Sequence, residues 1–314
     1  MSKFTYLLIG GNGFIGTNLI YKLLDNKREV YCIDAFDSNT KSIQNKHFKS
    51  YIDDLTDVNL LKQLVKKSDI IIFLASSSHV RNSSEAILIE IDNIECFINT
   101  LDIIKQYPDK KLIYASSGGT VYGEPEAIPV SENHCLNPIS PYGIGKITME
   151  QFLKYYASKY GINYVICRYS NPYGKYQSPF SGVGVINKLL YDYNNNTETN
   201  IVGNPDESIR DYIYISDLVD ATIAVAEADS CKNEIFNVGS GEGTSLNQII
   251  NEIKAVLNDD LKLNSEKFGN ENVSKIVLDI TKIKKIAGWK PKISLKKGIK
   301  LNNEYIKEFL EKNK

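Results

Sequence analysis

The sequence predicts an α/β fold whose larger part is a doubly wound parallel sheet, with a smaller C-terminal α/β region, and three observations carry that prediction. Apolar runs without polar alternation, Leu7 to Ile9, Asp69 to Ala75 and Lys111 to Ala115, read as strands covered on both faces. Segments with apolar residues at helical spacing separate them, and strands alternating with helices give a parallel sheet. The first strand also enters a glycine turn, Gly10-Gly-Asn-Gly13-Phe-Ile-Gly16, just ahead of a helix.

In order, Thr5 to Gly16 followed by Val30 to Asp34 reads as strand, glycine turn, helix, strand. Glycine at every third position lets the turn tighten, lets backbone approach a pyrophosphate and lets the helix pack on the strand. Exposed N–H groups at the helix start, at Phe14 and Ile15, suit an anion. An acid about 20 residues on at a strand end completes a dinucleotide fingerprint of Rossmann type. Asp34 there would accept from adenosine ribose hydroxyls and repel a 2′-phosphate, which favours NAD over NADP.

Phe48 to Ile52 is the next strand, and Leu60, Leu61, Leu64 and Val65 mark a helix. The strand Asp69 to Ala75 ends in Ser76, Ser77 and Ser78, small residues where backbone must pass close to a cofactor. Ser84 to Ile104 carries Ile87, Leu88, Ile91, Ile94, Phe97, Ile98, Leu101 and Ile104, wider than one apolar stripe, so the sheet on one side and a second subunit on the other are expected to cover it. After the strand ending at Ser116 and Ser117, Tyr142 and Lys146 open a further helix one turn apart. Two other pairs, Tyr107 with Lys111 and Tyr155 with Lys159, have the same spacing. Position separates them, because ligands of an open parallel sheet bind outside the strand carboxyl ends, where only Tyr142 is expected. Such a pair has a chemical use: a phenol titrating near 10 becomes a base once an ammonium and a cationic nicotinamide stabilise its phenolate. Further on, Val183 to Leu190, Ser216 to Ala228, a helix capped by Thr244 and a last one capped by Ser294 are expected, with a strand at Glu234 to Val238.

Composition excludes other classes. The 314 residues carry 37 Lys and Arg against 38 Asp and Glu, a net charge of −1 that gives no reason for a nucleic-acid or membrane partner. The chain enters its first strand at once, with no signal peptide or membrane span, so a cytoplasmic location is expected. Five cysteines without C-x-x-C spacing suggest reduced, buried thiols, and three scattered histidines make no metal site.

The motifs together resemble the extended short-chain dehydrogenase/reductases of the nucleotide-sugar epimerase and dehydratase group. They are the glycine turn, Asp34, Asp54-Leu55, Leu74-Ala-Ser-Ser-Ser78, Asn93, Ser116-Ser117 with Thr120-Val-Tyr-Gly123, Tyr142-x-x-x-Lys146, Arg168-Tyr-Ser-Asn171-Pro-Tyr-Gly174, Arg210-Asp-Tyr-Ile-Tyr214, Asp217 and Gly288-Trp-Lys-Pro291, nearly end to end. The resemblance implies a NAD-binding domain over residues 1–172, with contributions from about 210–240, and a nucleotide-sugar domain over 173–314. It implies cofactor contacts from Gly10, Gly13, Phe14, Ile15, Gly16, Asp34, Asp54, Leu55, Leu74, Ala75, Ser76, Asn93, Ser116, Tyr142, Lys146 and Tyr169. Ser78, Thr120, Asn171, Val185 and Arg210 would contact a nucleoside-diphosphate sugar, a UDP-hexose by preference, in a homodimer.

Departures from the family pattern narrow the reaction. Dehydratases carry an acid just before Val-Tyr-Gly, where this chain has Gly118-Gly119-Thr120; without it, reversible oxidation at C4, hence 4-epimerisation, is the more economical expectation. The family's usual serine or threonine is replaced by Gly118, so Thr120, two along on the same strand face, and then Ser117 are candidates for the bridging hydroxyl. An arginine that holds the diphosphate in many epimerases is missing near Gly269, with Lys267 the neighbouring base, and Ile276 stands where some relatives narrow the hexose pocket with tyrosine. A 4-keto-sugar reductase or dehydratase is the alternative, and a non-catalytic dinucleotide sensor the second.

Overall fold

The computed structural model describes residues 4–37, 39–79, 83–84, 87–202, 204–266 and 273–312. Seven strands form one parallel sheet: β1 (Thr5–Ile9), β2 (Glu29–Asp34), β3 (Phe48–Ile52), β4 (Ile70–Phe73), β5 (Lys111–Ser117), β6 (Asn163–Tyr169) and β10 (Glu234–Val238). Their order is β10-β6-β5-β4-β1-β2-β3, so chain direction along the sheet reverses between β1 and β4. That reversal opens the crevice in which doubly wound sheets bind their ligands. The expected fold class holds.

The central strands β1, β4 and β5 are apolar on both faces because both are covered, whereas the edge strand β3 exposes Lys49, Ser50 and Ile52. Along β1, Tyr6 and Leu8 enter a core shared with the helices α1 (Phe14–Asp25) and α6 (Ile215–Glu227) and the C-terminal part. Leu7 and Ile9 enter a second core with α2 (Val58–Lys67), α3 (Leu88–Ile104) and α4 (Pro141–Tyr160). The first of these cores runs without a break from Tyr6 to Ile306, across residue 172.

Smaller pieces complete the chain. β7 (Asn171–Tyr173), β9 (Ile209–Tyr214), β11 (Gly243–Ser245) and β13 (Lys275–Ile276) form a second sheet, and β8 (Thr199–Val202) pairs with β12 (Leu263–Glu266). The helices α5 (Val185–Asn194), α7 (Leu246–Leu257), α8 (Thr281–Ala287) and α9 (Leu295–Lys312) surround them. The cap of α7 is Ser245, in a reciprocal capping box with Gln248, rather than the expected Thr244. Thr244 is held in β11 opposite Arg210, one residue too early to reach the helix N–H groups. Ser294 caps α9 as expected, accepting from Lys297 N at 3.4 Å. Cys32, Cys167 and Cys231 are buried and all five cysteines are free thiols, but Cys135 is exposed, against expectation, because it lies in the polar loop before α4. Among the described residues no helix is long and apolar enough to cross a membrane, and no cluster of His, Cys, Asp and Glu could hold a metal ion.

Candidate active site

The glycine turn is built by close approach. Gly10 has φ +79°, and a Cβ there would lie 2.5 Å from Ala75 N, so β1 can pass the end of β4 only with glycine at this position. A Cβ on Gly16 would lie 2.4 Å from Gly11 O, which fixes how closely α1 sits on the turn. At Gly13 such a Cβ would meet only Gly10 O, at an ordinary contact distance of 3.8 Å, so nothing crowds the helix N-cap. No side chain caps α1, so its first-turn N–H groups, Phe14 and Ile15 included, are available to an anion. The cradle therefore fits a dinucleotide pyrophosphate. Asp34 ends β2 beside it, and its carboxylate accepts from Asn12 N at 2.8 Å and Phe36 N at 3.2 Å, which holds it at the crevice. Leu55 follows β3 with φ +68°, and Asp54 accepts from the Thr56 hydroxyl.

On the other side of the crevice, Asn93 of α3 shapes the serine run after β4. Its Oδ1 accepts from Ser77 N at 3.0 Å and its Nδ2 donates to Ser78 Oγ at 3.0 Å, while Ser76 Oγ donates to Ser78 O. Leu74 stays in the sheet through its N–H to Ile9 O.

Tyr142 sits on the first turn of α4. Ser140 caps that helix, accepting from Gly143 N at 3.2 Å, and Pro141 occupies its first position, so the turn bearing the tyrosine is firmly set. Lys146, one turn on, is 4% exposed; its ammonium lies 5.3 Å from the Tyr142 ring centre and donates to Ala115 O at 3.1 Å. Burial pushes Lys146 down to about 8, against the opposing carboxylates of Glu90 and Glu150. Burial, and then Glu90, push the Tyr142 phenol well above its ordinary range. One turn further, Glu150 is fully buried and pairs with Arg168 of β6 through Nε–Oε1 and Nη2–Oε2 bonds of 3.0 and 2.7 Å. Ser116 Oγ donates to the same carboxylate at 2.6 Å, and Arg168 also donates to the Tyr122 hydroxyl. This buried network bolts α4 to the sheet, and leaving its charge unpaired would cost about 3–5 kcal/mol.

Several expected residues stand otherwise than the sequence suggested. Thr120 does not continue the strand: β5 ends at Ser117, and Thr120 lies in the following turn, its N–H bonded to Ser117 O. Its carbonyl lies against Gly143, next to Tyr142, because a Cβ on Gly143 would meet it at 3.0 Å. At Gly118 a Cβ would lie 2.6 Å from Leu278 Cδ1 and 3.1 Å from Arg168 O, so a side chain there would require Leu278 to move. The side chains of Ser116 and Tyr169 are engaged elsewhere, Ser116 with Glu150 and Tyr169 with Thr222 in the core. Asn171 and Ile276 line a small hollow with Gly119 and Asp211, and Val185 begins α5. Arg210 is turned to backbone: its guanidinium donates to Ile209 O, Val273 O and Ser274 O. Gly269 and Lys267 lie outside the described residues. Glu90, Glu150 and Asp211 were not anticipated in the site. A signal for Glu150 existed, as it follows Tyr142 and Lys146 at the same fourfold spacing.

Residues 7–301 match the family model described as GDP-mannose 4,6 dehydratase. A Methanocaldococcus jannaschii protein provisionally named a UDP-glucose 4-epimerase is 38% identical over 94% of this chain and 95% of its own length. The Thermotoga maritima UDP-glucose 4-epimerase, solved with UDP-glucose, superposes with a TM-score of 0.91 at 32% identity, covering 98% of this chain and 99% of that one. The Thermus thermophilus UDP-glucose 4-epimerase, solved with NAD, gives 0.88 at 27% identity over 96% and 99%. With the dinucleotide turn, the Tyr142–Lys146 pair and these likenesses all spanning one sheet, the chain belongs to the GDP-mannose 4,6 dehydratase family of extended short-chain dehydrogenase/reductases.

Proposed function

We propose that this protein is a NAD-dependent 4-epimerase of a nucleoside-diphosphate hexose, a UDP-hexose by preference. The observation that carries the proposal is the Tyr142–Lys146 pair, its lysine buried, at the mouth of the sheet crevice, with no acid in the Gly118-Gly119-Thr120 stretch to drive elimination. The relatives solved with UDP-glucose and with NAD support it. Residues 1–172, with β10 and α6, serve the cofactor, and residues 173–314 the nucleotide-sugar. The cradle from Gly10 to Gly16 takes the pyrophosphate of NAD and Asp34 its adenosine ribose. NAD, when bound, supplies the hydride acceptor and adds positive charge beside Tyr142. That charge, with the Lys146 ammonium, lowers the phenol toward ionisation. Tyr142 Oη takes the proton from the sugar 4-hydroxyl as C4 loses its hydride, and Thr120 supplies a bridging hydroxyl, with Ser117 second. The resulting 4-keto sugar presents its other face, C4 recovers the hydride, Tyr142 returns the proton, and the balance is a change of configuration alone. Asn171 holds the diphosphate, and Arg210 does so on leaving the carbonyls of Ile209, Val273 and Ser274.

The same geometry supports a homodimer. On α3, Leu88 is 76% and Ile91 56% exposed while Glu90, Asn93 and Thr100 are buried, and Ile144 of the adjoining α4 is 54% exposed. The apolar face turned to water runs across both helices and suits a second copy. The reaction is tested by incubating the protein with UDP-glucose, UDP-N-acetylglucosamine and the matching GDP, CDP and dTDP sugars, with NMR at C4. Accumulation of a 4-epimer without net reduction of NAD is expected. Conversion only with stoichiometric NADPH, or loss of water, contradicts the proposal.

A further inference from the structure

Glu90 is 4% exposed, and among the described residues its Oε1 has no hydrogen-bond partner. Its Oε2 is only 3.5 Å from Asn93 Nδ2, at the limit of a hydrogen bond. A buried, poorly satisfied carboxylate is expensive, and a carboxylate serving only to pack α3 would be replaced at no loss by an apolar side chain. Its place is particular. A Cβ on Gly145 would lie 2.5 Å from Glu90 Oε2 and 3.3 Å from its Cδ, so the carboxylate lies on α4 at a glycine, the residue just before Lys146. Asn93, three residues along α3, holds the serine run of the same crevice.

We propose that Glu90 is a positioning residue of the reaction: its carboxylate, seated on Gly145, sets the pH range over which the Tyr142–Lys146 pair works. This rests on the proposed function for the roles of that pair. The titratable groups that face Glu90 are Tyr142 and Lys146 from α4 and Tyr114 from β5. Glu150 also acts on Lys146, but its charge is matched by Arg168. Negative charge at Glu90 favours the ammonium of Lys146 and disfavours the phenolate of Tyr142, so it raises the titration of both. Without it both groups titrate lower: the phenolate forms at lower pH, and the ammonium is also lost at lower pH. The working window moves toward acid as a whole.

The test is an ultraviolet difference titration of tyrosinate in the NAD-loaded protein, with Tyr142→Phe as the blank, alongside the pH profile of UDP-glucose epimerisation. Glu90→Gln keeps shape and removes charge, and should lower the Tyr142 midpoint by roughly one pH unit. Glu90→Asp should keep the midpoint near its original value. Gly145→Ala, whose methyl displaces the carboxylate, should shift it in the same direction as Glu90→Gln by less, and serves if Glu90→Gln does not fold. An unchanged or raised midpoint in the charge-free or displaced variants overturns the proposal, as does a uniform loss of rate with no shift in pH. A lowered midpoint in a protein that epimerises no sugar upholds Glu90's role and counts against the reaction assigned to the site.

Discussion

The two ends of α4 carry the same pair of residues at the same spacing, and differ in burial and in what the lysine bonds. At Tyr155 and Lys159 the ammonium donates directly to the phenol oxygen at 3.0 Å, and Tyr155 is 52% exposed. At Tyr142 and Lys146 the ammonium stands 5.3 Å from the tyrosine ring centre, much as Lys159 stands 5.4 Å from that of Tyr155, but the lysine bonds Ala115 O instead. The exposed pair is the better hydrogen bond and the poorer site. Water screens its charges. The pair with the buried lysine and half-buried tyrosine keeps a proton donor and a cation from bonding each other, so that a substrate oxygen and a cofactor charge can decide the proton's place.

The largest departure between the ends should come from the lysines. Lys146→Met removes the cation that stabilises a phenolate, so turnover should fall by roughly 100-fold or more, while Lys159→Met leaves it within about twofold, measured as 4-epimer formation. Lys146→Met should also stabilise the protein. The buried lysine titrates at about 8 rather than 10.5, so at pH 7 the folded state carries a charge that the unfolded chain holds more comfortably. Between those two values the unfolded chain binds the proton more tightly, and stability of the unmodified protein rises with pH. The gain from Lys146→Met, on the order of 1–3 kcal/mol below pH 8, should therefore shrink toward pH 10.5, as read by denaturant melts.

Much of this was legible in the sequence because it is local. The glycine turn, the apolar strands and the first turn of α4 are each fixed by neighbours within a few residues, and the sheet order follows from how such units assemble. What was hidden depends on distant partners. Leu278 closes the space beside Gly118, and the carbonyls of Val273 and Ser274 hold Arg210. The apolar count of α3 included Phe97, Leu101 and Ile104, which are buried, but not Glu90, Asn93 and Thr100, which are buried on the same helix. Periodicity marks where apolar residues recur and is blind to a polar residue that a site draws inward.

Smaller effects sharpen the contrast between the two ends. Thr120→Val, which keeps the turn's bulk and loses the hydroxyl, should slow epimerisation by roughly tenfold and leave NAD binding unchanged in calorimetry. If Ser117 is the bridging hydroxyl instead, Ser117→Ala carries the larger loss. Asp34→Ala removes ribose acceptors and a charge that repels a 2′-phosphate, and should narrow the preference for NAD over NADP by several-fold in parallel binding titrations.

The most direct test sets Tyr142→Phe beside Tyr155→Phe. Each substitution removes one phenol oxygen and keeps its ring. Rates of 4-epimer formation across a pH series, with calorimetric binding of UDP-glucose, should show Tyr142→Phe binding normally and turning over roughly 100-fold or more slowly, with Tyr155→Phe indistinguishable from the unmodified protein. Near-normal turnover by Tyr142→Phe would contradict the account, and remove Tyr142 from the chemistry.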